Sequence, residues 1–276
     1  MNTLKTVLLM GIMTGLFLLV GYWVGGQQGM WIALGLAAVM NMASYWFSDR
    51  IVLATYRAQP LTPDQAPELY GIVRRLADRA QLPMPRLFLI PDPSPNAFAT
   101  GRDPEHAVVV VTQGIVGMLD QPELEGVLAH ELSHVSNRDI LISAIAATLA
   151  GALMIIARMA FFFGGGRDRE GGGLGALLTL IFAPIAAVLI RMAISRSREY
   201  QADAAGAALT GNPLGLAHAL AKLEAGVQQV PLAGADPNSS HLFIVNPLRG
   251  NWLAGLFSTH PPIQARIDRL ERMARG

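Results

Sequence analysis

Two histidines four positions apart, His130 and His134, flank a glutamate in the run HELSH. On a helix, side chains at i and i+4 leave the same face about one turn apart, so both imidazoles can reach one Zn2+ at ~2.0–2.1 Å. Glu131 lies beside them, placed to take a proton from a water that such a metal activates. This H-E-x-x-H spacing is the pattern of zinc-dependent peptidases. With six histidines in 276 residues, chance writes it on the order of once in a few hundred such chains. The setting narrows it further. Inside the apolar stretch LEGVLAHELSHV, two imidazoles and a carboxylate are costly unless they have a task.

A catalytic zinc wants a third protein ligand and one open position. The chain has no cysteine, which excludes thiolate sites and disulfides and leaves His or carboxylate donors. Glu199, in SREYQADAAG, is the candidate with context, because Asp203 follows one helical turn later and can orient a ligand imidazole from behind. Glu123, Glu125 and Glu224 lack such a pairing. The plain alternative for Glu199 and Asp203 is two solvated acids on a helix face. His106, His218 and His241 show no ligand spacing.

The elements that must position these groups are unusual in composition. Hydrophobic residues make up 52% of the chain and charged ones 15%, against about 25% charged in an ordinary soluble domain. Mean hydropathy is +0.38, so membrane residence is the first expectation. A formal net charge of +1, with no basic run interleaved with aromatics, gives no sign of nucleic acid as a partner. Residues 6–24 and 30–47 are uncharged runs joined by the turn at 25–29, each near the roughly 20 residues a bilayer crossing takes. A cleaved secretory signal is the rival for the first run, but its length and the following GYWVGGQQGMW fit a retained anchor. Residues 140–157 and 174–190 form a second apolar pair, joined by GGGRDREGGG, a flexible linker composition. This pair is expected to span as well; core helices of the soluble part are the alternative.

Between and after the hairpins the chain is mixed. Thr62 and Pro63 predict a helix start, with Leu69, Ile72, Val73 and Leu76 on its apolar face. PRLFLI (85–90) and AVVVVT (107–112) predict strands, and SPNAFATGRD between them predicts a short edge strand closing at Gly101. Pro122 opens the helix that carries HELSH. Helices are expected at 199–209 and 213–224, and PPIQARIDRLERMAR predicts a final amphipathic helix on Ile263, Ile267 and Leu270, with Arg266 on its solvated face; facing the cleft is the alternative for Arg266. His134 ends just before the second hairpin and Glu199 follows it, so two antiparallel crossings return Glu199 to the membrane face where the histidines wait. Lys5, Arg50 and Arg57, and then Arg138, Arg191, Arg196 and Arg198 against Arg167 and Arg169, place that face in the cytoplasm by the positive-inside bias.

Across its whole length the chain resembles the HtpX-type membrane metalloproteases, in the wider group that includes the CAAX prenyl proteases. The resemblance is carried by two N-terminal spans, HELSHVSNRD, a hydrophobic hairpin, SREYQAD and STHPP. It implies an α+β, mainly helical fold: an integral membrane protein with four transmembrane helices and a zincin-like catalytic domain holding a small β-sheet. The parts would be a hairpin at 1–48, catalytic segments at 49–138 and 195–276, and a second hairpin at 139–194. It also implies one Zn2+ on His130, His134 and Glu199, Glu131 as catalytic base, and Asn137 and Asp203 as supports behind the ligands. His260 is implied to face the site; a loop residue capping the last helix is the alternative. Asn96, Ala97, Phe98, Ala99 and Thr100 are implied to form an edge strand on which a substrate backbone is laid; an ordinary surface turn is the alternative. Substrates would be membrane proteins or unfolded polypeptides, cleaved on the cytoplasmic side of a bacterial inner membrane in quality control. A prenyl-protein endopeptidase, a metal transporter and a catalytically silent adaptor are the rival functions. The position of the histidines before the span, rather than at its midplane, and the intact Glu131 speak against the last two.

Overall fold

The structure, a computed structural model, describes residues 2–163, 185, 196–230, 232, 242–245 and 261–275. Helix α1 (Asn2–Thr55) leaves helical geometry at Gly25 and Gly26. Gly26 takes φ 58, a conformation open to glycine without a Cβ clash. The chain reverses there, and its halves pack so closely that a Cβ on Gly21 would lie 2.6 Å from the Gly29 carbonyl oxygen. Further along the hairpin, the Asn41 carboxamide donates to Thr14 Oγ1 at 3.0 Å. Segments Leu4–Trp23 and Gly25–Thr55 are long and apolar enough to cross a membrane.

Four spans are expected from sequence, and two meet that criterion among the described residues. The third expected span corresponds to helix α5 (Asp139–Phe163), whose Ile142, Ile145, Leu149 and Leu153 pack against Leu9, Met13, Phe17 and Ala37 of the hairpin. The fourth, residues 174–190, lies outside the described residues except for Ile185.

Four short strands make one sheet: β1 (Gln59–Pro60), β2 (Arg86–Ile90), β3 (Ala97–Thr100) and β4 (Val108–Thr112), in the order β1-β2-β4-β3. Strands β2 and β4 run parallel, and β3 closes antiparallel on β4 with Ala97 opposite Val111. Alternation along β3 and β4 separates two cores. Ala97, Ala99, Val109 and Val111 join one cluster with helices α2 (Pro67–Arg79) and α4 (Gln121–Ser136). Phe98, Val108 and Val110 join another with Val52, Leu53 and Tyr56. The second helix of the N-terminal hairpin thus runs on to Thr55, and its end packs against the sheet.

Helix α2 starts at Pro67 and not, as sequence predicts, at Pro63. The Thr62 N–H donates to Gln65 Oε1 and its carbonyl accepts from Ala66 N–H, while Ala66, kept out of helical geometry before a proline, sits at φ −142, ψ 62. The apolar face is the expected one, with Leu69, Ile72, Val73 and Leu76 buried. The short helix α3 (Gln113–Met118) is capped by Thr112. A 3-10 turn at Pro104–His106 and helices α6 (Arg196–Thr210), α7 (Pro213–Gln229) and α8 (Ile263–Ala274) complete the described elements.

Candidate active site

Helix α4 carries the motif and is fixed at its start. Asp120 and Glu123 form a reciprocal capping box around Pro122, which satisfies two backbone donors that the first turn leaves open. His130 and Glu131 are buried on this helix and His134 is partly exposed. Helix α6 crosses it at contact distance. A Cβ on Gly206 would lie 2.9 Å from the His130 backbone nitrogen, so the smallest residue stands where the two backbones meet.

That contact brings Glu199, in the first turn of α6, to the histidines. His130 Nε2 and His134 Nε2 are 3.2 Å apart, His130 Nε2 is 3.9 Å from Glu199 Oε2, and His134 Nε2 is 3.6 Å from Glu199 Oε1. Donors about 2.0–2.1 Å from a tetrahedral zinc are about 3.4 Å from one another, so the three side chains fit that ion. Another acidic group with His among the described residues, Asp103, Glu105 and His106, is mostly exposed, and its carboxylate and imidazole bond each other with Arg102 alongside.

Behind each imidazole stands the same chain of groups. His130 Nδ1 meets Asp203 Oδ1 at 3.0 Å, and Arg266 grips Asp203 with two bonds of 2.6 and 2.9 Å. His134 Nδ1 meets Asp139 Oδ2 at 3.3 Å, and Arg198 donates to Asp139 Oδ1 at 2.8 Å. A carboxylate on Nδ1 fixes the tautomer and turns the Nε2 lone pair toward the metal position. Asp203 is thus the carboxylate on the His130 ring.

Asn137, expected as a support, closes helix α4. It is an exposed C-cap residue beside Leu132, Ser133, Ser136 and Leu209, and Asp139, the first residue of α5, is the group on the His134 ring. Arg266 is also corrected. It is fully buried, since Asp203 gives its charge a partner inside the core. A signal existed, for position 266 falls three after Ile263 and four before Leu270, on the apolar stripe. His260 lies outside the described residues.

Protein groups alone set uneven proton affinities. Burial, helped by the nearby Arg266 charge, pushes His130 down to about 4 despite Asp203, so it is neutral and able to coordinate at pH 7. Burial works against a charge on His134, yet Asp139, Glu199 and Glu131 outweigh it and lift that imidazole to about 9. The field that attracts a proton there also attracts a cation. Burial and the neighbouring Glu199 raise Glu131 to about 7.

Strand β3 is the outer strand of the sheet, as sequence predicts for Asn96–Thr100, and Ala99 N–H donates to Glu131 Oε2 at 2.8 Å. Its free side is covered by the chain itself: Leu242, Phe243 and Ile244 close a cavity of about 40 Å3 lined by Ala99, His130, Glu131, His134 and Glu199.

Comparison with known proteins bears on the family and the fold. A family model described as peptidase family M48 matches residues 63–274. The chain is 58% identical to "Protease HtpX homolog" of Syntrophobacter fumaroxidans over 98% of both chains. It is 54% identical to the protein of the same description from Pyrococcus furiosus, over 98% of this chain and 95% of the other. In fold it is similar to the crystal structure of S. mikatae Ste24p, with a TM-score of 0.52 and 21% identity, covering 98% of this chain and 65% of that one. The matched segment contains HELSH, SREYQAD and the arginine that buries itself behind them, and on that ground the chain belongs to peptidase family M48.

Proposed function

We propose that this protein is a zinc endopeptidase of the membrane surface, acting on membrane proteins or unfolded polypeptides from the cytoplasmic side. The observation that carries the reading is the convergence of His130, His134 and Glu199 from two helices, with donor atoms all within 4.8 Å and Glu131 beside them on the side of the sheet edge. These three residues would hold the ion, which supplies Lewis acidity to a scissile carbonyl and a water. A substrate backbone lies along β3, adding a strand to the sheet. Glu131 receives the proton of the attacking water and delivers it to the amine nitrogen of the departing segment. Its place between the Ala99 N–H and the ligands serves both transfers, and with a cation held there its proton affinity would fall from about 7 toward the base form. His260 is proposed to assist the oxyanion. Damaged or misfolded proteins as targets, and the bacterial inner membrane as location, follow from the family resemblance.

The test is metal analysis with casein cleavage by detergent-purified wild type and Glu131→Gln. The variant is expected to keep one zinc per chain and lose activity by about 10²–10⁴-fold. Undiminished cleavage by the pure variant would remove Glu131 from this role, and a wild type without zinc would remove the metal.

A further inference from the structure

The free side of β3 is not open to solvent. The short segment Leu242–Val245 is buried against it, with Phe243 fully enclosed. Ile244 N–H donates to the Ala97 carbonyl at 3.2 Å, a bond that an added strand would make. The Asn96 carboxamide donates to the Val245 carbonyl at 2.8 Å and accepts from the Val245 N–H at 3.4 Å, holding both backbone polar groups of that one residue. Side chains of the segment part to the two faces of the sheet. Ile244 and Val245 join the core shared with α4, while Phe243 enters the opposite cluster. There its ring meets Phe98 and Tyr56 edge-on, each at 5.0 Å between centroids. The remaining cavity of about 40 Å3 has room for an ion and little water, not for a peptide.

From this we infer that Leu242–Val245 occupies the place of a substrate strand, and that the Tyr56–Phe98 wall now filled by Phe243 is a subsite for a large apolar, preferably aromatic, substrate side chain. The inference rests on the peptidase reading. Main-chain bonding to a strand edge is blind to sequence, so selectivity must come from pockets that receive alternate side chains. The aromatic pocket is such a place: it is built from β3 itself and from the end of the membrane hairpin, and an aromatic residue already fits it. An incoming polypeptide has to displace the segment, and a segment with Phe or Leu in register replaces what Phe243 gives up. A polar chain does not. Selection for exposed apolar residues thus follows from competition with the protein's own chain.

The experiment uses full-length, zinc-loaded enzyme in detergent with quenched-fluorescence peptides carrying Phe, Leu or Ser at one position at a time. Phe243→Ala empties the subsite and Ile244→Pro deletes the N–H that bonds Ala97. Both are expected to lower KM by about ten-fold, within the range one apolar pocket contact gives. In wild type, one peptide position is expected to favour Phe over Ser by a similar factor. Unchanged or raised KM in both variants, at wild-type zinc content and melting temperature, overturns the inference. So does loss of zinc or of cooperative melting in both, since the segment is then a structural strap. The same variants on a Glu131→Gln background verify that cleavage belongs to this protein. Zinc-loaded wild type and variants that all cleave nothing defeat the peptidase reading itself, whereas a cleaving wild type whose variants gain nothing defeats the inference alone.

Discussion

Each histidine of the site is held by a carboxylate that is itself held by an arginine, and the two chains of groups differ in how buried they are. Arg266 and Asp203 are sealed in the core. Arg266→Ala leaves that carboxylate without its counter-charge and is expected to cost about 3–5 kcal/mol, read as a fall in melting temperature. His134 has the opposite sensitivity. It is faced by Asp139, Glu199 and Glu131, with His130 beside it, and carries its proton up to about pH 9. A metal must displace that proton, so zinc affinity is expected to rise about tenfold per pH unit between pH 7 and 8.5. Asp139→Asn should weaken zinc by about 10–100-fold and flatten that slope; competition with a chromophoric chelator measures both. His130, Glu131 and His134 are legible in the sequence because five positions contain them, and Glu199 with Asp203 because they repeat one turn apart. Asp139 and Arg266 are not so easily read. Residue type assigns an acid to a helix start and an arginine to solvent; the stripe position of 266 hints otherwise, but the partner that makes its burial possible lies 63 positions away.

Elements meet at this site through small residues. Gly206 lets α6 approach α4, and an added methyl would stand 2.9 and 3.1 Å from the His130 backbone nitrogen and Cα. Backbone cannot swing aside as a long side chain can. Gly206→Ala is therefore expected to destabilise by about 1–3 kcal/mol and to weaken zinc binding, since Glu199 rides two turns earlier on the same helix. Thermal melting and zinc titration check the two effects. The helices and strands around the site are legible where periodicity or a β-branched run is sustained, as in VVVV of β4 and the Leu69–Leu76 face of α2. Strand β1 and helix α3 are not. Gln59–Pro60 is too short to show alternation, and QGIVGM carries two glycines that mask a helix. The covering segment Leu242–Val245 has no regular repeat either, and its place is fixed by the ring pocket it fills.

Over the whole molecule, exposed aromatic rings gather at both ends of the N-terminal hairpin: Tyr22, Trp23 and Trp31 about the turn, and Tyr45, Trp46 and Phe47 at the other end. Such rings anchor a span at its two water interfaces, and Arg102, in the turn after β3, lies 4.7 Å over Trp46. The proposed placement puts Gln28 outside and Gln81 in the cytoplasm, both exposed. As the chain has no cysteine, Gln28→Cys and Gln81→Cys each give one label site. An impermeant maleimide should label the first in intact spheroplasts and the second in inverted vesicles alone; the reverse pattern would invert the topology. The site is also stretched along the chain, since Arg266 meets a carboxylate that bears on His130, 136 positions earlier. A ribosome adding about 5–20 residues per second takes roughly 7–27 s to travel that interval. During translation, then, the emerging polypeptide holds its histidines before it holds the arginine, and until that arginine arrives the carboxylate behind His130 has no Arg266 counter-charge.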